Sequence, residues 1–202
     1  MSSPEPPPEG RPTWREVALA PFGDVAAETV DALLAELSRR VAVPCRRVPC
    51  PTPPPLDPVP GRPQIDADRW LERLEAHGRP GAPLVGVTEQ DLALPIFSFV
   101  FGRARLEGHA AVLSLARLRP EYYGQPADPS RLARRAAAEL LHELGHLAGL
   151  RHCERPDCLM RFASSVEAAD LRGARFCGDC AAQLPHGFVA RTLALPVEPD
   201  AL

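Results

Sequence analysis

The chain contains no lysine and no asparagine, so all 23 of its basic residues are arginine. Alongside 25 prolines, these gaps read as the codon bias of a GC-rich genome and exclude no function. Other shortages do exclude something. Aromatic residues make up only 5%, the formal net charge is -3, and no basic patch is interleaved with aromatics, so a nucleic-acid groove is not expected. The densest basic run, Arg131, Arg134 and Arg135, is expected to be a solvated helix face. No apolar run reaches transmembrane length: the longest, LALPIFSFVFG from Leu92, contains a proline and is about half of what a spanning helix needs. MSSPEPPPEGRP at the start has acids and prolines where a secretory signal needs positive charge followed by an apolar stretch. A cytoplasmic protein with neither nucleic-acid nor membrane partners is therefore expected. In a reducing compartment, regularly spaced cysteines are more often metal ligands than disulfides.

What is present suits a soluble globular chain of 202 residues, 45% apolar and 24% charged, with one core or two tightly joined lobes. Residues 1–12 are expected to be a disordered proline-rich tail. Residues 16–20 read as a strand, and Asp24 as the cap of a helix carrying Val30, Leu33, Leu34, Leu37 and Val41 at helical spacing. A second strand is expected in VAVPCRRV, weakened by Pro44, and Asp66 caps a second helix with Ala67, Trp70, Leu71 and Leu74 inward. Residues 84–88, 97–101 and 110–115 read as strands, the last two as a hairpin. Helices between the earlier strands imply parallel pairing, so the sheet should be mixed. Asp128 and Pro129 start a long helix with Leu132, Ala136, Leu140, Leu144 and Leu147 on one face, ending at Gly149.

The chemistry is concentrated in HELGHLAGLRHC, residues 142–153. His142 and His146 are one helical turn apart, about 40° round the axis, and can grip one ion together. Glu143 beside them is placed to reach a metal-bound water, the arrangement of a zinc hydrolase. Gly149 permits the left-handed turn that ends the helix. His152 is then free to return as a third ligand, with a fourth position open for water and substrate. Cys153 and Cys158, then Cys177 and Cys180, form two short pairs that match a four-cysteine structural zinc site. Three imidazoles and four thiolates favour zinc at both places. Cys45 and Cys50 lack a partner pair and read as free thiols, with accessory metal binding as the alternative; His77 and His109 read as structural or solvent-facing. The spacing of His186 assigns it no role.

Taken together, HELGHLAGLRHC, CLM at residues 158–160 and CGDC at residues 177–180 resemble the archaemetzincin family of the metzincin clan of zinc peptidases. The likeness extends through LVGVTEQDL, FSFVFGRA and AAVLSLARL to MRFASSVEAADLRGARFCGDC, covering residues 14 to about 185. It implies an α+β fold: an α/β-like upper lobe, residues 13–149, with a mixed five-stranded sheet and helices on one side, and a small lower lobe, residues 150–202. By the same resemblance, Met160 is the Met-turn beneath the catalytic zinc, Glu143 the general base, and FSFVFGRA the edge along which substrate extends. The function it implies is zinc-dependent hydrolysis of peptide bonds, with aminopeptidase action known among family members. A monomer acting on a peptide or protein substrate is the expectation. Two rival readings are a catalytically silent, zinc-stabilised peptide-binding or adaptor protein, and an independent zinc ribbon spanning residues 153–180.

Overall fold

The computed structural model describes residues 13–53, 58–185 and 188; the N-terminal tail, residues 1–12, and His186 lie outside them. In chain order the elements are β1 (Val17–Phe22), α1 (Ala27–Ser38), β2 (Cys45–Arg47), β3 (Ile65–Asp66), α2 (Ala67–Glu75), β4 (Leu84–Thr88), β5 (Leu92–Leu94), β6 (Phe97–Val100), β7 (Gly102–Ala104), β8 (Ala110–Ser114), α3 (Pro129–Leu147), α4 (Val166–Leu171) and α5 (Gly178–Ala181). Among the described residues, five strands form a sheet in the order β2-β1-β4-β8-β7, parallel except for β7 against β8. The fold is α+β with a mixed sheet, as the sequence led us to expect.

Both faces of this sheet are covered, because alternate side chains of its central strands meet different helices. Val17, Leu19, Val85, Val87, Ala111 and Leu113 share a core with α1 and α3. Ala18, Ala20, Leu84, Ala110 and Val112 pack with Trp70, Leu71 and Leu74 of α2. Helices therefore flank the sheet on two sides, not on one as the resemblance implied. Gly86 sits where this second layer is tightest: a Cβ would fall 2.6 Å from Leu74 Cδ1 and 2.8 Å from Trp70 Cζ2.

Three further expectations are corrected. The antiparallel partner of β8 is β7, not residues 97–101. Pro95 and Ile96 form a turn, so β6 folds back on β5 and joins a three-stranded sheet in the order β3-β5-β6. Only at Phe101, whose carbonyl accepts from Ser114 N at 2.7 Å, does the chain cross to the edge of the main sheet. Asp24 does not cap α1, which begins behind Ala26 without a side-chain cap; Thr29 and Val30 N–H donate to the Ala26 carbonyl instead. Arg135 does not face solvent, since its guanidinium donates to Asp170 and, at 3.1 Å, to the Leu118 carbonyl.

Helix α3 runs as predicted. Asp128 accepts from Arg131 N at 2.8 Å, Pro129 opens the first turn, and Leu132, Ala136, Leu140, Leu144 and Leu147 are buried. Gly149 has φ of 90°, with Gly149 N donating to His146 O and Leu150 N to Gly145 O, both at 2.9 Å. That pair of bonds is a Schellman closure, which needs a residue free of the Cβ clash. The segment beyond Gly149 packs Leu150, Cys158, Leu159, Met160 and Val166 into the same core as α3. No helix among the described residues is long and apolar enough to cross a membrane.

Candidate metal centre and active site

The Schellman turn reverses the chain and brings His152 back beside the two histidines of α3. One ring nitrogen from each of His142, His146 and His152 lies within 4.8 Å of the others. Two of the rings are oriented by backbone carbonyls: His142 Nδ1 donates to Leu159 O and His146 Nδ1 to Leu150 O, each at 2.8 Å. A carbonyl only accepts, so both protons sit on Nδ1 and both Nε2 atoms carry lone pairs. Those Nε2 atoms face each other at 3.2 Å. Two lone pairs so placed repel unless a cation lies between them, and tetrahedral zinc with bonds of about 2.0–2.1 Å sets its nitrogens at roughly this spacing. The donor set therefore fits zinc.

The electrostatics agree. Burial holds His142 well below the ordinary imidazole range, and the nearby Arg172 guanidinium adds to the effect. Burial also lowers His146 and His152. All three rings are neutral at pH 7, the metal-binding form. Burial pushes the Glu143 carboxyl up to about 8, with help from Glu139 and against the pull of Arg172 and Arg103. A dication at the imidazoles would favour its ionised form.

Glu143 is pressed against β7. A Cβ on Gly102 would lie 2.7 Å from Glu143 Cγ and from Oε1, so the carboxylate occupies space that only glycine leaves free. Gly145 leaves a similar gap on the other side of the helix, where an added Cβ would overlap Met160 Sδ and approach Met160 Cε to 3.1 Å. Met160 is fully buried, and its carbonyl accepts from Cys153 N at 2.9 Å. A glycine in mid-helix costs about 1 kcal/mol against alanine; here it admits the methionine beneath the histidines.

One arginine ties these parts together. Arg172 Nη2 lies 2.6 Å from Glu139 Oε1 with both side chains buried, and Nη1 lies 3.3 Å from His142 Nδ1. Because that nitrogen already donates to Leu159, the second approach is one of charge and not a hydrogen bond. Above the rings opens a cavity of about 400 Å³, lined by β6 and β7 on one side and by Phe162 and Ser164 on the other.

Cys153, Cys158, Cys177 and Cys180 gather with their sulfurs within 4.8 Å of one another. Cys153 and Cys177 Sγ are 3.9 Å apart, close to the edge of a tetrahedron with Zn–S bonds of about 2.3 Å. A hydrogen bond from the Cys180 backbone N–H lowers the Cys177 thiol, while burial raises Cys158 and Cys180. Buried thiols of that kind ionise readily only beside a cation. Cys45 and Cys50 pack against different cores and join neither cluster; burial pushes the Cys45 thiol up to about 11.

Residues 80–186 match the model of Peptidase family M54. The chain belongs to peptidase family M54. Among M54 relatives, the archaemetzincin of Methanocaldococcus jannaschii is 46% identical over 101 residues, 50% of this chain and 56% of that protein. The archaemetzincin of Thermococcus kodakarensis is 39% identical over 127 residues, 62% of this chain and 68% of that protein. A zinc-dependent peptidase from Methanocorpusculum labreanum superposes with a TM-score of 0.74 at 31% identity, covering 83% of this chain and 98% of its own. The Archaeoglobus fulgidus archaemetzincin, crystallised with malonate, gives 0.71 at 31% identity, covering 84% and 99%. The resemblance read from the motifs is borne out.

Sequence reasoning passed over four residues of this M54 site: Gly102, Glu139, Arg151 and Arg172. Glu139 had a visible signal, lying one turn before Glu143 on the inner face of α3. Arg172 is 33 residues from Glu139, and nothing in its surroundings marks it as buried.

Proposed function

We propose that the chain is a zinc-dependent metallopeptidase that hydrolyses peptide bonds, with His142, His146 and His152 as ligands and Glu143 as general base. The supporting observation is the pair of Nε2 lone pairs 3.2 Å apart, with the neighbouring Glu143 carboxylate buried against the edge strand β7. His142, His146 and His152 would hold a zinc ion, which would supply Lewis acidity for the scissile carbonyl and for the attacking water. Glu143 takes the proton from that water and passes it to the leaving amine. The Leu159 and Leu150 carbonyls keep the first two imidazoles in the Nδ1–H tautomer, and Met160 supports the helix from below through the gap at Gly145. The backbone of β6 and β7 offers an edge for an extended peptide. Cys153, Cys158, Cys177 and Cys180 would hold a second zinc and so fix the segment that follows His152, which suits a cytosol that keeps thiols reduced.

A panel of fluorogenic peptides, with and without chelator, tests this reading. Turnover that chelator abolishes is expected, with two zinc per chain by elemental analysis. Glu143→Ala should lower kcat by roughly 10²- to 10⁴-fold while keeping both metals. If Glu143→Ala matches the parent, the base is misassigned; peptide binding without turnover across the panel would instead mark an adaptor.

A further inference from the structure

The charges that line the cleft have mostly been spent on each other. Arg172 is taken by Glu139 at 2.6 Å and Arg103 by Asp68 at 2.7 Å. Of the two carboxylates in the lining, Glu139 is thus occupied and Glu143 is committed to the reacting water. Arg151 lines the same cavity, is exposed, and has no acidic partner among the described residues. It adjoins His152 in the chain. Among the described residues the cleft therefore holds a guanidinium without a counter-ion, and its one carboxylate without an ion pair is Glu143, already assigned to the water. A free substrate ammonium, or a lysine or arginine side chain, has no partner there; a carboxylate does.

The apolar part of the lining is equally specific. Phe97 of β6 and Phe162, two residues past Met160, lie against each other at the mouth, tilted, with ring centroids 6.4 Å apart. Phe162 also lies 5.3 Å from the His152 ring. Their exposures of 42% and 52% leave two phenyl faces in water at the point where a substrate side chain would pass the ligand set. Leu94, Phe99 and Leu106 continue the apolar wall inward.

We infer that the cleft selects peptides that pair a large apolar side chain, packed on the exposed faces of Phe97 and Phe162, with a nearby carboxylate held by Arg151, and that it does not depend on a free α-amino group. The inference deepens the peptidase reading and rests on it for the identity of the cleft. An acidic group is the strongest partner for the substrate ammonium of an aminopeptidase, and the two carboxylates of the lining are already assigned. Internal or C-terminal carboxylates meet the one requirement that the site can satisfy.

The test uses full-length, zinc-loaded Glu143→Ala, so that binding is read without turnover. Labelled peptides share a central phenylalanine flanked by glutamate, glutamine or lysine, each with a free and with an acetylated N-terminus, and Kd is measured by fluorescence anisotropy. A solvated Arg–carboxylate pair with good geometry changes affinity by up to about fivefold, and repulsion of a lysine at the same place adds roughly twofold more. Glutamate peptides should bind about tenfold tighter than lysine peptides, and acetylation should change Kd less than twofold. Arg151→Ala should remove the ranking and Arg151→Glu invert it, which separates Arg151 from the charge deleted at position 143. Phe162→Ala should weaken all three peptides alike. Equal or tighter lysine binding, a preference for the free amine, a ranking that survives Arg151→Glu, or no binding by any peptide overturns the inference. Turnover by the parent without charge preference would sink this inference and leave the peptidase reading standing; an Arg151-dependent preference without parent turnover would do the reverse.

Discussion

Gly102→Ala is the sharpest single test of how the candidate site is built. Gly102 has no positive φ, so alanine fits the backbone of β7 without strain, and any effect must come from the added methyl. That methyl would stand 2.7 Å from Glu143 Cγ and Oε1 and 2.9 Å from Cδ. Carbon contacts settle at about 3.5–4.0 Å, so the carboxylate has to retreat by roughly 0.7 Å or more from the position it holds against β7. Misplacement of a reacting group by about 1 Å can cost on the order of 10²-fold in rate. We therefore expect kcat to fall roughly 10- to 100-fold, less than in Glu143→Ala, with KM changed little and zinc content unchanged. Steady-state kinetics on a fluorogenic peptide, paired with elemental analysis, reads both quantities. A variant within threefold of the parent in kcat, with its zinc in place, would refute the account of Gly102 as the slot for the base.

Gly145→Ala should destabilise the chain by about 1–3 kcal/mol through overpacking against Met160 and Phe176, despite a helix-propensity gain of about 1 kcal/mol; a higher denaturation midpoint would contradict that. Glu139→Gln leaves the buried Arg172 without a counter-charge and should cost about 3–5 kcal/mol, whereas Glu139→Leu with Arg172→Met should recover most of it. Urea unfolding of the single and double variants measures both, and a single variant within 1 kcal/mol of the parent would overturn the pairing argument. Cys180→Ser should lose the second metal and also weaken zinc at the histidines, because Cys153 follows His152 and bonds to the Met160 carbonyl. Metal titration followed by elemental analysis checks this, and full first-site affinity in the variant would show that the two clusters are independent.

Much of the candidate site was legible because its parts are local. His142, Glu143 and His146 share a helix whose period sets their directions, Gly149 marks the reversal, and His152 and Cys153 follow within a few residues. Asp66 and Asp128 announced their helices by the same short-range logic, since a cap acts on N–H groups two or three residues ahead. Asp24 obeyed that pattern in composition but not in position, and a weak local signal of this kind yields to packing. The strand run at residues 97–101 was visible as apolar sequence. Its division between two sheets was not, because a turn at Pro95 and a crossing at Phe101 depend on which partners lie alongside.

The sequence by itself picked out the two candidate ligand clusters and the glutamate beside the first, for these rest on spacing along one helix and one tight turn. Only the tertiary structure decided that Gly102 shapes the space for Glu143, that Arg172 and Glu139 neutralise each other behind His142, and that Arg135 turns inward to Asp170. It also left Arg151 beside the cleft without an acidic partner among the described residues. The reason is physical: charge pairing and close approach depend on distance in space, and residues separated by 30 or more positions come within a few ångströms only once the core has chosen their neighbours.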